Sequence, residues 1–196
     1  MLSRIILLAR HASHAEVGHV LSGRSEIALS DRGRMEAEAL ARRLADVPLA
    51  AIHSSPRRRA RETAEAVARG RAVDVTVYEA LDELDFGAWS GRSFTELDGD
   101  PDWRRWNGER DTAATEGGET MARATRRAAA HIAAIDADGP VLCVSHCDII
   151  RGLVTQALGL GFERMFAFDC APASLTTLDF GDGGARVISL NERAAA

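Results

Sequence analysis

Lysine is absent from this 196-residue chain, so all 24 positions counted as Lys or Arg are arginine. That removes mechanisms built on an ε-amine: Schiff-base and pyridoxal chemistry, the P-loop lysine and the kinase strand lysine. Anions must be gripped by guanidinium forks, whose planar geometry matches phosphate oxygens in pairs. Cysteine is scarce as well: Cys143, Cys147 and Cys170 are the three present, and none forms a CxxC pair. An odd, unpaired set argues against a disulfide scaffold. No apolar stretch approaches the roughly 18 residues needed to cross a bilayer, and the apolar start before Arg10 is too short for a secretory leader. A soluble, cytoplasmic protein is expected. With 29 acidic against 24 basic residues, the net charge of −5 leaves no broad basic surface. Neither nucleic acid nor membrane is therefore an expected partner.

What is present suits a packed core, with 46% hydrophobic and 27% charged residues. The length fits one domain spanning residues 1–196. The run Ile5-Ile6-Leu7-Leu8 reads as a buried strand that ends directly in Arg10-His11. From Ser30 to about Ala45 the pattern is helical: Ser30 caps, Asp31 suits the positive end of the dipole, and Met35, Leu40, Ala41 and Leu44 share a face. Ala50 to His53 forms a second strand. Ser55-Pro56 then opens a helix, with a capping serine and a first-turn proline, that carries Ala60, Thr63, Ala64 and Val67 inward. Val73 to Val77 alternates like a strand. From Asp82 to Gly118 the periodicity fades, and residues 93–118 are expected to form a lid-like excursion.

A helix follows from about Glu119 to Ile135, with Ala124, Ala128, Ile132 and Ile135 inward. After it come a strand at Val141 to Val144, a helix at Ile149 to Leu158, and a hairpin. Its strands, Ser174 to Phe180 and Arg186 to Leu190, flank the turn Asp182-Gly183-Gly184. Alternating strands and helices predict an α/β fold, a three-layer αβα sandwich around a mostly parallel sheet. Ligands in such sheets sit at the carboxyl ends of the strands. Three polar clusters fall there: Arg10-His11, Ser54-Ser55 with the arginine run behind it, and Ser145-His146.

Two strand-end histidines with arginines point to a phosphate site, since guanidinium pairs neutralise phosphoryl oxygens while a neutral imidazole attacks phosphorus. Each piece alone has a plainer reading: a hydrogen-bonded structural histidine, a solvated helix face at Arg57-Arg58-Arg59, a surface acid at Glu83. Together they carry a resemblance. Leu8-Ala9-Arg10-His11-Ala12 resembles the LxRHG signature of the histidine phosphatase superfamily, the phosphoglycerate mutase-like proteins. Ser54-Ser55 through Arg59-Ala60 to Thr63-Ala64 resembles its SSxxxRAxxTA segment. Leu81 to Gly91 resembles LxExxFGxWxG, and Val144-Ser145-His146 with Ile150-Arg151 resembles VSHGxxIR.

The resemblance implies a phosphoglycerate mutase-like fold and a metal-independent phosphatase that hydrolyses phosphomonoesters of small metabolites through a phosphohistidine. His11 would be the nucleophile; Arg10, Arg59 and His146 would hold the phosphoryl oxygens; Glu83 would be the general acid, then the base. Ser22-Gly23 resembles a pair that lines the phosphate pocket. No cofactor or metal is implied, and the partner is a small phosphorylated substrate; nothing in the sequence specifies an oligomeric state. Guanidinium neighbours should lower the pKa of His11, and a bound phosphate should raise that of Glu83.

The chain departs from the family pattern at Ala12-Ser13-His14, at Val17, and at Cys147, which stands where a glycine usually follows the second histidine. It lacks the insertion of bisphosphoglycerate-dependent mutases and the RHGxRxP of the phytase branch, which favours the compact phosphatases. Two alternatives stand beside this reading: phosphoglycerate mutase-type phosphoryl transfer, and a non-catalytic phospholigand-binding protein. A zinc site from His11, His14, His19, His146, Cys143 and Cys147 has no supporting HxxxH or CxxC spacing. His14 and His19 are candidates to touch substrate, and His53 and His131 read as structural. Trp89, Trp103 and Trp106 are core or lid aromatics, while Cys147 is an acidic or a packed thiol.

Overall fold

A computed structural model of the chain describes residues 4–181 and 184–193; the expected turn residues Asp182 and Gly183 and the alanines at 194–196 lie outside the described residues. The strands are β1 (Arg4–Arg10), β2 (Ala51–Ser54), β3 (Val75–Val77), β4 (Val141–Ser145), β5 (Leu175–Gly181) and β6 (Gly184–Glu192). They form one sheet in the order β3-β2-β4-β1-β5-β6. The first four pair in parallel, and β5 and β6 close one edge antiparallel.

Alternation along the strands divides the core between two helical layers. Leu7, Ala9, Leu142 and Val144 face α1 (Asp31–Arg43) and α2 (Arg58–Ala68), where Leu40, Leu44, Ala60, Ala64 and Val67 meet them. Ile6, Leu8, Val141 and Cys143 face α5 (Met121–Ala133) and α6 (Cys147–Ala157), packing on Ala124, Ala128, Ile132, Ile150 and Val154. The result is a mixed α/β fold with a mostly parallel sheet flanked by helices on both faces. Each of the fully buried leucines contributes about 2 kcal/mol of burial free energy.

Two expectations are corrected. Met35 does not share the inward face of α1: it is 67% exposed. The buried stripe is Gly33, Ala37 and Leu40, and at about 100° per residue Met35 points nearly opposite to it. Ser55 is not the cap of α2, which begins at Arg58 after an Arg57 cap that makes no side-chain bond. The Ser55 hydroxyl accepts from the Arg57 N–H at 3.2 Å, ahead of the helix, and is shared with His146 and Asp82.

Residues 93–118 hold α3 (Phe94–Asp98), with a full capping box between Ser93 and Glu96, and α4 (Pro101–Gly108), capped by Asp100 with proline in its first turn. Trp89 meets Trp103 and Trp106 edge-on at ring separations of 5.3 and 5.8 Å, and the latter two stack at 5.1 Å. Trp106 and Trp89 are buried, which anchors the excursion to the core beside Phe86.

The start of α1 is pressed against the loop that follows β1. The Ser13 carbonyl accepts from the Ser30 backbone N–H at 3.0 Å and from its hydroxyl at 3.2 Å. A Cβ on Gly33 would lie 1.8 Å from that same carbonyl oxygen, which explains why residue 33 carries no side chain. Gly33→Ala is expected to lower the unfolding free energy by about 1–3 kcal/mol. Urea denaturation checks this, and an unchanged midpoint would refute the close packing.

Candidate active site

The parallel register places the chemistry. Arg10 pairs with Ser145 across β1 and β4, and Ser54 with Val144 across β2 and β4. The residues just beyond each pair, His11, His146 and Ser55, therefore emerge side by side at one sheet edge. The His11 backbone N–H donates to the Ser145 carbonyl at 2.9 Å, and that of Ser55 to Val144 at 2.9 Å. The rings of His11 and His146 are 5.1 Å apart, and the first turn of α2 delivers Arg59 to them.

Hydrogen bonding assigns the tautomers. His11 Nδ1 lies 2.8 Å from the Ala12 carbonyl oxygen; a carbonyl only accepts, so Nδ1 carries the hydrogen and Nε2 keeps its lone pair. His146 is the reverse case. Its Nδ1 accepts from Arg59 Nη2 at 3.1 Å, and its Nε2 donates to Ser55 Oγ at 2.7 Å, which donates on to Asp82 at 3.3 Å. His11 and His146 are both fully buried, and burial followed by the Arg59 charge holds each pKa well below 6.5. The expected downward shift of His11 is present, with burial ahead of the guanidinium charges as its cause.

Arg59 is 1% exposed. It donates from Nη1 to the Ser25 carbonyl at 2.8 Å and from Nη2 to the Gly23 carbonyl at 2.5 Å. Gly23 takes φ +49°, a conformation that favours glycine. Arg10 Nη1 donates to the Cys170 carbonyl at 2.7 Å. These bonds aim both guanidinium groups, and the Nε atoms of Arg10 and Arg59 have no partner.

Glu83 is buried and its pKa is raised to about 8, chiefly by burial and then by the nearby Asp148. The expected cause was a bound phosphate; the protein alone suffices. One carboxylate oxygen accepts from Leu84 N–H at 2.9 Å, and the Glu83 carbonyl accepts from Arg24 at 3.0 Å and Arg127 at 2.9 Å. Both arginines also pair with buried Glu119, at 2.8 and 2.7 Å. Arg24, Asp82, Glu119 and Arg127 thus form a frame that the sequence analysis did not single out. No sequence pattern signals it, since Arg24 and Glu119 lie 95 positions apart.

A cavity of about 440 Å³ opens on these groups. His11, Arg10, Arg59, Glu83, Ser22 and Gly23 line it, as does His14, whose ring is 5.2 Å from that of His11. His146 sits behind Arg59 and does not line it. Val17, Phe94, Trp103 and Asn107 form the outer wall, with Arg110, Asp148 and Arg151 beyond Glu83. His19 is exposed and does not line the cavity, although its neighbours Gly18 and Val20 do. His53 and His131 meet at 3.1 Å beside Tyr78, and none of the three lines the cavity. A larger hollow of about 810 Å³ between α1 and residues 171–173 holds none of these groups. Among the described residues, no three His, Cys, Asp or Glu side chains are placed to hold a metal, and no helix is long and apolar enough to cross a membrane.

The family profile described as "Histidine phosphatase superfamily (branch 1)" matches residues 6–193. The chain belongs to the histidine phosphatase superfamily. A bifunctional protein of Mycobacterium tuberculosis is 35% identical over 97% of this chain, which covers 54% of that protein. The chain thus spans about half the length of that relative. Phosphoserine phosphatase 1 of Hydrogenobacter thermophilus is 29% identical, covering 95% of this chain and 91% of that one. The native structure of mycobacterial glucosyl-3-phosphoglycerate phosphatase superposes with a TM-score of 0.86 at 28% identity, covering 97% of this chain and 100% of the other.

Within this superfamily the cysteine after the second histidine is a departure with chemical consequences. Cys147 opens α6, lines the cavity, and donates its thiol to the Cys170 carbonyl at 3.8 Å. A hydrogen bond from the Cys170 side chain, aided by Arg10 and Arg151, lowers its pKa to about 7, whereas burial pushes Cys143 up to about 12. At pH 8, iodoacetamide should therefore alkylate Cys147 and spare Cys143, with inorganic phosphate slowing the reaction. Peptide mass spectrometry reads this, and equal labelling of both would refute the assignment.

Proposed function

We propose that the chain is a phosphomonoesterase acting on small phosphorylated metabolites through a phosphohistidine at His11. The observation that carries this reading is the His11 tautomer: Nδ1–H is tied to the Ala12 carbonyl, so the Nε2 lone pair is free in a cavity flanked by Arg10 and Arg59. An imidazole in this state is a ready nucleophile. The guanidinium groups supply the charge neutralisation that a metal provides elsewhere, so no metal or cofactor enters the scheme. The named phosphatases among the relatives support the same chemistry.

In this scheme Nε2 attacks phosphorus, and the P–O bond to the leaving group breaks while Glu83, protonated at neutral pH, gives its proton to the departing oxygen. The carboxylate so formed takes a proton from water, which attacks the phosphohistidine and releases phosphate. Arg59 faces the dianion, and His146, outside the cavity lining, accepts from Arg59 Nη2 and so positions that guanidinium. Helices α3 and α4 act as the lid, with Phe94 and Trp103 on its inner side. A cytoplasmic location fits three free thiols.

His11→Ala should cut p-nitrophenyl phosphate hydrolysis roughly a thousandfold or more; a rate within a few-fold of wild type would exclude the nucleophile. Because Glu83 must be protonated, kcat/KM for an alkyl phosphate should fall above about pH 8, with no loss assigned to His11 until well below pH 6.5. Glu83→Gln should abolish that alkaline limb and slow alkyl phosphates far more than p-nitrophenyl phosphate. Equal slowing of both substrates would contradict the acid role.

A further inference from the structure

Beyond the groups assigned to the scissile phosphoryl, the cavity holds two more arginines that the proposed chemistry does not use. Arg110 is 5% exposed. Its guanidinium carbon sits 4.0 Å from the Trp106 ring centre and 4.7 Å from that of Phe166. It donates to Asn107 Oδ1 at 2.6 Å and to Asp148 at 3.4 Å. Arg151 stacks on the same Phe166 ring at 4.8 Å. Unlike that of Arg110, its guanidinium has no hydrogen bond or ion pair to any described residue, and its buried Nε is unpartnered.

The charges then pair off by position. A phosphoryl dianion answers Arg10 and Arg59, and Asp148 answers Arg110. Glu83 is protonated, and Cys147, hydrogen-bonded to the Cys170 carbonyl with a pKa of about 7, offers Arg151 only a partial counter-charge. A partly buried guanidinium with no carboxylate ion pair among the described residues, in a cavity already crowded with its own kind, is a costly arrangement unless a ligand completes it. Stacking on Phe166 holds the fork in place while leaving its N–H edge free, and that edge matches a carboxylate bidentately. The cavity of about 440 Å³ has room for a compact substrate carrying both groups.

We propose that Arg151 is a second anion subsite that selects phosphomonoesters bearing a carboxylate distal to the scissile phosphate. Arg110 and Asp148 form its rigid back wall. The proposal rests on the phosphatase reading for its substrate end, but its own claim concerns binding.

The matched probes are 3-phosphoglycerate and glycerol 3-phosphate, which differ by a carboxylate in place of a hydroxymethyl group. Phosphate release by the wild-type chain should favour 3-phosphoglycerate by about tenfold or more in kcat/KM, mainly through KM. In Arg151→Gln the ratio should fall to near one, and Arg151→Lys, which keeps the charge and loses the fork, should restore part of it. Calorimetric titration of both probes into His11→Ala, where turnover is blocked, should show the same preference. A ratio near one in the wild type, or a preference that survives Arg151→Gln, overturns the subsite. If phosphate is released in that case, the phosphatase reading stands. Conversely, binding discrimination lost in His11→Ala/Arg151→Gln, with no phosphate release by the wild type, upholds the subsite and sinks the phosphatase reading.

Discussion

The hydrogen bond from His11 Nδ1 to the Ala12 carbonyl decides what the rest of the site can be. An imidazole free to flip would present either nitrogen, or a proton, to the cavity. Tied to a carbonyl acceptor and buried among guanidinium groups, it is held neutral with one lone pair exposed. The same carbonyl depends on the loop behind it. The Ala12 N–H donates to Thr63 Oγ1 at 3.0 Å, the Ser13 N–H to Glu36 at 2.8 Å, and Gly33 admits the Ser13 carbonyl against α1. The His11 tautomer thus rests on packing between β1, α1 and α2.

Electrostatics in the site follow from using one kind of cation throughout. Arginine keeps its charge when buried, and its fork can be anchored by one nitrogen while another faces the cavity. Arg59 and Arg10, which line the cavity, are anchored through backbone carbonyls, while Arg24 and Arg127, outside its lining, are held by the Glu83 carbonyl and buried Glu119. Burial raises Glu83 and lowers His11, so the carboxyl holds its proton and the imidazole is neutral before any ligand arrives. Pairs of groups whose surroundings drive their pKa values apart are the recurring basis of acid–base roles.

Much of this was legible in the sequence. The strand-end positions of Arg10-His11, Ser54-Ser55 and Ser145-His146 needed only apolar runs followed by polar residues, and the alternation of strands and helices placed them on one edge. Other features depend on distances that no local pattern encodes. Met35 matched the helical spacing of the hydrophobic face loosely enough to be assigned inward, although the true stripe runs through Gly33 and Ala37. Ser55 before proline has every mark of a cap, but its hydroxyl is more valuable to a buried imidazole. The frame of Arg24, Glu119 and Arg127 joins the loop after β1 to the start of α5, far apart in sequence, so only the folded chain reveals it. His19 and His14 looked equivalent in sequence, and the turn between them sends one outward and one inward.

The central claim is that a phosphoryl group passes through one nitrogen of His11, and the most direct measurement is rapid-quench trapping followed by phosphorus NMR of the denatured protein. The account predicts an acid-labile phosphohistidine at His11 with phosphorus on Nε2, formed and consumed at the rate of turnover. Phosphorus on Nδ1, on another residue, or on no residue while hydrolysis proceeds would contradict it.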